Sequence, residues 1–343
     1  MKCDVVLEGG GVKGIALVGA VDVLEEHGYE VQRVAGTSAG AIVGALIAAG
    51  LTSDERRELM LSLDYTRFQD ASFVDRLPGG RFLSLLLQQG MYEGSYLRSW
   101  LSGVLSERSI DTFADLRCAD ADASPSSAYP SRLVVMASDI THGRLRSLPT
   151  DYPALGCDDP GAVSVADAVR ASMSIPFFYE PVRLPGKDGK KITLVDGGML
   201  SNFPVAVFDR TDGRPPRWPT FGIKLSARAG DQTRRFEGDR LTSMVKAMIG
   251  TMTSFYDQLH LDDPSVLART IFVDTFGVKA TEFDLDDTTR DRLYANGRSA
   301  AEKFLRSWDF SEYLESFRKV AVPQQADGEE ALDATGSPQL DAP

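Results

Sequence analysis

Val31-Gln32-Arg33-Val34-Ala35-Gly36-Thr37-Ser38-Ala39-Gly40-Ala41-Ile42-Val43 runs a short apolar strand through a Gly-x-Ser-x-Gly turn straight into an apolar helix. Ser38 stands at the apex. Small neighbours on both sides let strand and helix approach closely and leave the hydroxyl exposed on a tight turn. The same turn puts Ser38 at a helix N-terminus, where unpaired backbone N–H groups and the positive dipole end favour an oxyanion. Taken alone, the pattern is more often a small-residue turn that happens to contain serine.

Working outward, Cys3-Asp4-Val5-Val6-Leu7 reads as a first strand that ends in Glu8-Gly9-Gly10-Gly11-Val12-Lys13-Gly14. A helix follows, with Ile15, Leu17, Val18, Val21, Val23 and Leu24 on a broad apolar face and Gly28 as its stop. Strand, glycine loop, helix, strand is a βαβ unit, which implies parallel strands buried on both faces. Active sites in such sheets lie beyond the carboxyl ends of the strands, so both glycine-rich turns open on one edge. The expected fold is α/β, with a mostly parallel central sheet flanked by helices.

Composition bounds the function. Of 343 residues, 43% are hydrophobic and 25% charged, enough for a large core. With 49 acidic against 37 basic residues the net charge is −12, which argues against nucleic acid as a partner. Cys3, Cys118 and Cys157 are widely spaced and suggest neither a disulfide framework nor a zinc site. The first residues lack the apolar segment of a signal peptide, and the longest apolar stretch, 39–51, is shorter than a membrane span of roughly 20 residues. The expectation is a soluble, cytoplasmic protein without cofactor or metal.

Further along, 54–63 reads as a helix capped by Thr52-Ser53-Asp54-Glu55, and 95–105 as another. The strand 133–137 pairs with 145–148 across Thr141-His142-Gly143, and the helix 165–173 stops at Ile175-Pro176. Strands 181–184 and 191–195 flank a turn and deliver Asp196-Gly197-Gly198. A strand at 220–225, a long helix at 241–261, a strand at 270–273 and an amphipathic helix at 286–305 complete the pattern. Residues 119–131 read as a surface loop.

Gly9-Gly10-Gly11-Val12-Lys13-Gly14 fits the dinucleotide fingerprint Gly-x-Gly-x-x-Gly, but the second strand ends in Ala35-Gly36 with no acid to bind ribose. The competing reading is a loop that presents backbone N–H groups to a tetrahedral oxyanion. A serine nucleophile beside it needs a base. The chain has three histidines, of which His142 and His260 are the two a triad would have to use. Asp196 is the better partner, because it ends a hydrophobic strand at a tight turn, although Asp-Gly-Gly alone is more often an ordinary turn.

Taken together, Gly9 to Gly14, Gly36-Thr37-Ser38-Ala39-Gly40 and Asp196-Gly197-Gly198 resemble, in order, the three motifs of the patatin-like phospholipases. Ala171-Ser172-Met173-Ser174-Ile175-Pro176 and Asn202-Phe203-Pro204 look like their usual company. The resemblance spans residues 1–320 and leaves 321–343 as an acidic tail expected to be disordered. It implies a three-layer patatin-like fold and a serine acyl hydrolase of phospholipids or lysophospholipids. Ser38 would be the nucleophile and Asp196 the proton acceptor, with an oxyanion hole from Gly9, Gly10, Gly11 and Ala39. Gly14, Gly36, Gly40, Gly197 and Gly198 would complete the motifs, and Lys13 would anchor the glycine loop.

The resemblance also implies transient contact with a membrane and leaves room for an activator that the sequence does not identify. Delivery by a specialised secretion system needs no cleavable signal and is compatible with the sequence. The continuous apolar run Phe82-Leu83-Ser84-Leu85-Leu86-Leu87, just after Pro78-Gly79-Gly80, reads either as a buried helix or as a mobile cover over an acyl pocket. Two other functions fit parts of the pattern: an α/β-hydrolase esterase with a Ser-His-Asp triad, and a non-catalytic dinucleotide-binding regulator using Gly9 to Gly14.

Overall fold

In β1 (Lys2–Leu7) and β2 (Glu30–Thr37) all but the first residue and Gln32 are buried, and the two charges inside these strands, Asp4 and Arg33, pair with each other at 3.0 Å. A computed structural model of the chain describes residues 1–64, 67, 92–118, 129–225, 263–280 and 282–318. Helix α1 (Gly14–Glu26) connects the two strands, which pair in parallel. Helix α2 (Ala39–Ala48) leaves β2 at once, and every one of its residues is buried, the mark of a helix that is apolar all round. Next comes α3 (Ser53–Ser62), closed at its start by the expected capping box between Thr52 and Glu55.

The remaining elements are α4 (Ser95–Ser106), β3 (Leu133–Asp139), β4 (Arg144–Leu148), α5 (Val165–Ser172), β5 (Val182–Pro185) and β6 (Lys191–Asp196). They are followed by β7 (Thr220–Lys224), α6 (Pro264–Ala268), β8 (Thr270–Phe272), α7 (Asp287–Leu305) and α8 (Phe310–Phe317). The eight strands form one sheet in the order β5-β6-β3-β2-β1-β7-β8, with β4 also paired to β3. From β3 to β8 the neighbours run parallel, whereas β4 and β6 meet β3 antiparallel and β5 meets β6 antiparallel. The carboxyl ends of β1, β2 and β7 therefore share one edge, and the antiparallel arm brings the end of β6 beside β3.

Alternation along the strands divides the core between the two faces. Val5, Leu7 and Val34 pack into the larger cluster with α1, α2 and α5, while Val6 and Ala35 face a smaller one closed by Phe203, Val205, Phe208 and Val266. On the larger side α7 lies along α1, and the Tyr294 hydroxyl donates to Asp22 at 2.9 Å. The buried Arg56 guanidinium reaches the same carboxylate at 2.9 Å and also Glu25, so α1, α3 and α7 form one layer. The result is a three-layer arrangement with the sheet in the middle.

The long helix expected at 241–261, the apolar run 82–87, most of the loop 119–131 and the tail 321–343 lie outside the described residues. Helix α8 was not expected as an element. Its signal is the aromatic spacing Phe310, Tyr313 and Phe317, with Phe310 stacked on Tyr313 and Tyr313 tilted against Phe317.

Candidate active site

At the junction of β2 and α2 the backbone of Ser38 adopts φ +53° and ψ −122°. A side chain at positive φ costs on the order of 1–3 kcal/mol and persists only where its surroundings impose it. Here they do. A Cβ on Gly36 would lie 2.2 Å from the Gly40 carbonyl oxygen, and one on Gly40 would lie 2.4 Å from the Leu7 carbonyl oxygen. Helix α2 thus enters against bare backbone of β1 and β2, and the chain turns too sharply for any other path. The Ser38 N–H donates to Ser172 Oγ at 2.9 Å, and Ser172 in turn donates to the Met136 carbonyl at 2.6 Å. One hydroxyl on α5 therefore ties the turn to β3.

The Ser38 hydroxyl donates to Met173 Sδ at 3.3 Å, and it lies close enough to the Asp196 carboxylate to favour that group's ionised form. It has one proton to give, and a carboxylate is a far better acceptor than a thioether. Asp196 ends β6, its N–H donates to the Ser174 carbonyl at 2.9 Å, and its Oδ1 accepts the Gly198 N–H at 2.7 Å. Burial pushes this carboxyl up to about 6, against the opposing pull of the Gly198 amide and the Ser38 hydroxyl. A carboxylate raised in this way is a better proton acceptor near neutral pH than an ordinary aspartate. Gly197 packs with no room for a side chain, since its Cβ would lie 2.5 Å from the Met136 carbonyl oxygen.

The glycine loop closes the third side. Gly11 has φ +57°, and a Cβ there would lie 1.9 Å from the Ala280 carbonyl oxygen, which accepts the Val12 N–H at 3.1 Å. Gly9 lies against Ser38, and a Cβ on it would come within 3.1 Å of the Ser38 Cβ. The Gly9 N–H does not serve as an open donor as expected, because it is given to the Asn202 carbonyl at 3.1 Å. Among the described residues the amides of Gly10, Gly11 and Ala39 have no acceptor. Lys13 Nζ donates to the Leu225 carbonyl at 3.4 Å, an anchor for the loop, and Gly14 starts α1 beside Ala39.

For two further pieces of the site the sequence assigns no role. Asn202 Nδ2 donates to the Gly9 carbonyl at 2.9 Å, linking the Asp196 turn to the glycine loop. Glu8, at the carboxyl end of β1, is buried in an ion pair with Lys224 at the end of β7, and its other oxygen accepts the Leu225 N–H. The signal was present: a charged residue at the end of a buried strand must find a partner. What the sequence hides is that β1 and β7 are neighbours.

The histidines stand apart from Ser38 among the described residues. His27 caps α1 with Nδ1 2.8 Å from the Val23 carbonyl, and His142 in the β3–β4 turn has Nδ1 2.8 Å from Asp139 Oδ2. His260 lies outside the described residues. Among those residues no cluster of His, Cys, Asp or Glu is arranged to hold a metal ion, and no helix is long and apolar enough to cross a membrane.

A family model described as patatin-like phospholipase matches residues 5–209, a span that contains the glycine loop, Ser38 and Asp196. The chain belongs to that family. Protein YqhO of Bacillus subtilis, itself uncharacterised, is 36% identical over 312 residues, covering 90% of this chain and 100% of that protein. The mouse patatin-like phospholipase domain-containing protein 7 is 30% identical over 205 residues, which are 59% of this chain and 12% of the mouse protein. Among solved structures, VipD of Legionella pneumophila superposes with a TM-score of 0.51 at 20% identity, over 89% of this chain and 67% of that one, a likeness of fold. Membership of the patatin-like family makes the chain a lipid acyl hydrolase in the general sense.

Proposed function

We propose that the chain hydrolyses fatty-acyl esters of phospholipids or lysophospholipids at the bilayer surface through Ser38 and Asp196. The observation that carries the reading is the placement of the Ser38 hydroxyl within reach of the buried Asp196 carboxylate, beside a loop with open amides. In the first half-reaction Ser38 Oγ attacks the acyl carbonyl carbon as its proton passes to Asp196. The carbonyl oxygen becomes an oxyanion, held by the amides of Gly10, Gly11 and Ala39. Such donors are worth about 10²–10³ each in rate when aimed at the developing charge.

Collapse of the tetrahedral intermediate breaks the ester C–O bond, and the leaving alcohol oxygen takes the proton from Asp196. Water then gives a proton to Asp196 and attacks the acyl-enzyme. The second tetrahedral intermediate releases the fatty acid, and Ser38 regains its proton. Asp196 acts alternately as base and acid, so one carboxyl with a pKa near neutrality serves both halves.

The experiment is lipid mass spectrometry on mixed phospholipid vesicles with wild-type chain, Ser38→Ala, Asp196→Asn and His142→Ala. Fatty-acid release is expected to disappear in the first two variants and persist in the third. Undiminished release by Asp196→Asn, or loss on removing His142, defeats the assignment.

A further inference from the structure

On the outer side of α5, away from Ser38, is a cavity of about 260 Å³ that the proposed chemistry does not use. Its walls are mostly aliphatic: Leu155, Val163, Val182, Leu184 and Leu194, together with the ring of Tyr152. The volume is just under the roughly 300–1,000 Å³ of ordinary small-ligand sites. An apolar hollow of this size calls for an apolar occupant.

Tyr152 is the exception in the wall. It is 96% buried as judged by its 4% exposure, and among the described residues its hydroxyl has no hydrogen-bond partner. Burial pushes the phenol well above its ordinary range, so it remains a donor. The hydroxyl is not sealed off from solvent, so it is a donor free to be taken by a ligand in place of water. The charged groups of the rim are already engaged: Asp167 with Arg98, and Arg170 with the carbonyls of Glu93 and Glu180. What the cavity lacks is one neutral acceptor at the end of an apolar body.

The cavity shares two elements with the candidate site. Asp167, Arg170 and Ala171 line the cavity on one side of α5, while Ser172 on the other side holds the Ser38 amide and Met173 at its end touches the Ser38 hydroxyl. On β6, Leu194 lines the cavity two residues before Asp196, on the same face of the strand.

We propose that this cavity binds an aliphatic chain carrying a carbonyl-type acceptor, with the Tyr152 hydroxyl as its donor. The chain belongs either to a free fatty acid or to an acyl group still esterified to lipid. The choice of an aliphatic acyl compound rests on the lipid-hydrolase reading; the existence of the site rests on the cavity and on Tyr152.

Cys157 also lines the cavity and is half-buried, which makes it a reporter. The test follows alkylation of Cys157 by iodoacetamide in the full Ser38→Ala chain, with Cys118 as internal reference, in the presence of decanoate or of decanoyl-lysophosphatidylcholine. Selective slowing at Cys157 by decanoate identifies the free acid as an occupant, and slowing by the ester alone identifies the uncleaved acyl group. Tyr152→Phe, which keeps the ring, is expected to weaken protection about fivefold, the worth of one hydrogen bond. Val182→Trp, which fills the hollow, is expected to abolish it. No selective slowing with either probe, or protection undiminished in both variants, overturns the proposal. Because the reading is binding to a chain without its nucleophile, protection without ester hydrolysis by the wild type defeats the hydrolase assignment alone.

Discussion

Asn202 holds Gly9 from two sides: its side-chain amide donates to the Gly9 carbonyl at 2.9 Å, and its own carbonyl accepts the Gly9 N–H at 3.1 Å. The turn after Asp196 and the loop before α1 are thereby fixed to each other, which orients the neighbouring Gly10 and Gly11 amides. Asn202→Ala removes only the side-chain half of this clamp. The stability loss is expected to be about 1 kcal/mol, the net worth of a hydrogen bond. Turnover of a soluble short-chain ester is expected to fall by about tenfold with KM little changed, because misaimed donors weaken the transition state more than substrate binding. Steady-state kinetics and thermal unfolding check both. A stability loss with unaltered kcat would make the clamp purely architectural.

Below the clamp, Glu8 and Lys224 are each about 95% buried and pair across the ends of β1 and β7. Breaking a buried pair from one side leaves a carboxylate without its counter-ion. Lys224→Met is expected to cost about 3–5 kcal/mol at pH 7. The double variant Glu8→Gln, Lys224→Met is expected to recover much of this, since a glutamine carbonyl can still accept the Leu225 N–H that Glu8 accepts now. Urea unfolding of the three chains measures the difference. Equal losses in the single and double variants would mean that the charge is not what matters.

The βαβ start was legible because its physics is local: short runs rich in apolar residues make buried parallel strands, and glycines at 36 and 40 permit a contact that a side chain would block. The proposed partnership of Ser38 with Asp196 comes from the order of three motifs, since neither side chain announces the other. The Glu8–Lys224 pair depends on which strand lies next to β1, and the engagement of the Gly9 amide depends on where the 202 turn comes to rest. Both are set by tertiary packing. The antiparallel arm lies between. Its two strands were visible, but not that β6 would pair with β3 and so carry Asp196 to the edge where β2 ends.

Ser172 links the serine turn to β3 through a single hydroxyl that accepts the Ser38 N–H and donates to the Met136 carbonyl. Ser172→Ala leaves both buried backbone groups without that partner, at a cost of about 1–3 kcal/mol in stability. The strained φ of Ser38 also loses a restraint, so the hydroxyl is expected to wander from Asp196. A fall of about 10–100-fold in kcat is expected, since a nucleophile displaced by an ångström loses reactive geometry. Ser172→Thr keeps the hydroxyl and is expected to restore part of the rate. If threonine rescues nothing while both variants remain folded by circular dichroism, the hydroxyl is not the positioning group.

The Asp196 carboxyl at about 6 yields linked predictions for rate and stability. As a base it works only when ionised, so kcat/KM is expected to rise with pH through an acid limb centred near 6, falling about tenfold for each unit below it. Stability moves the other way. Because burial lifts the folded pKa above the ordinary aspartate value of about 3.9, the native state holds its proton longer than the unfolded chain does. This contribution is fully present below pH 4 and is lost as pH rises through 6. Asp196→Asn never ionises there, yet its side-chain oxygen can still accept the Gly198 N–H. The variant is therefore expected to match wild type at pH 4 and to exceed it by on the order of 3 kcal/mol at pH 8. Urea unfolding at the two pH values measures this gap, and a gap that does not change with pH would mean that the carboxyl is not held up by burial.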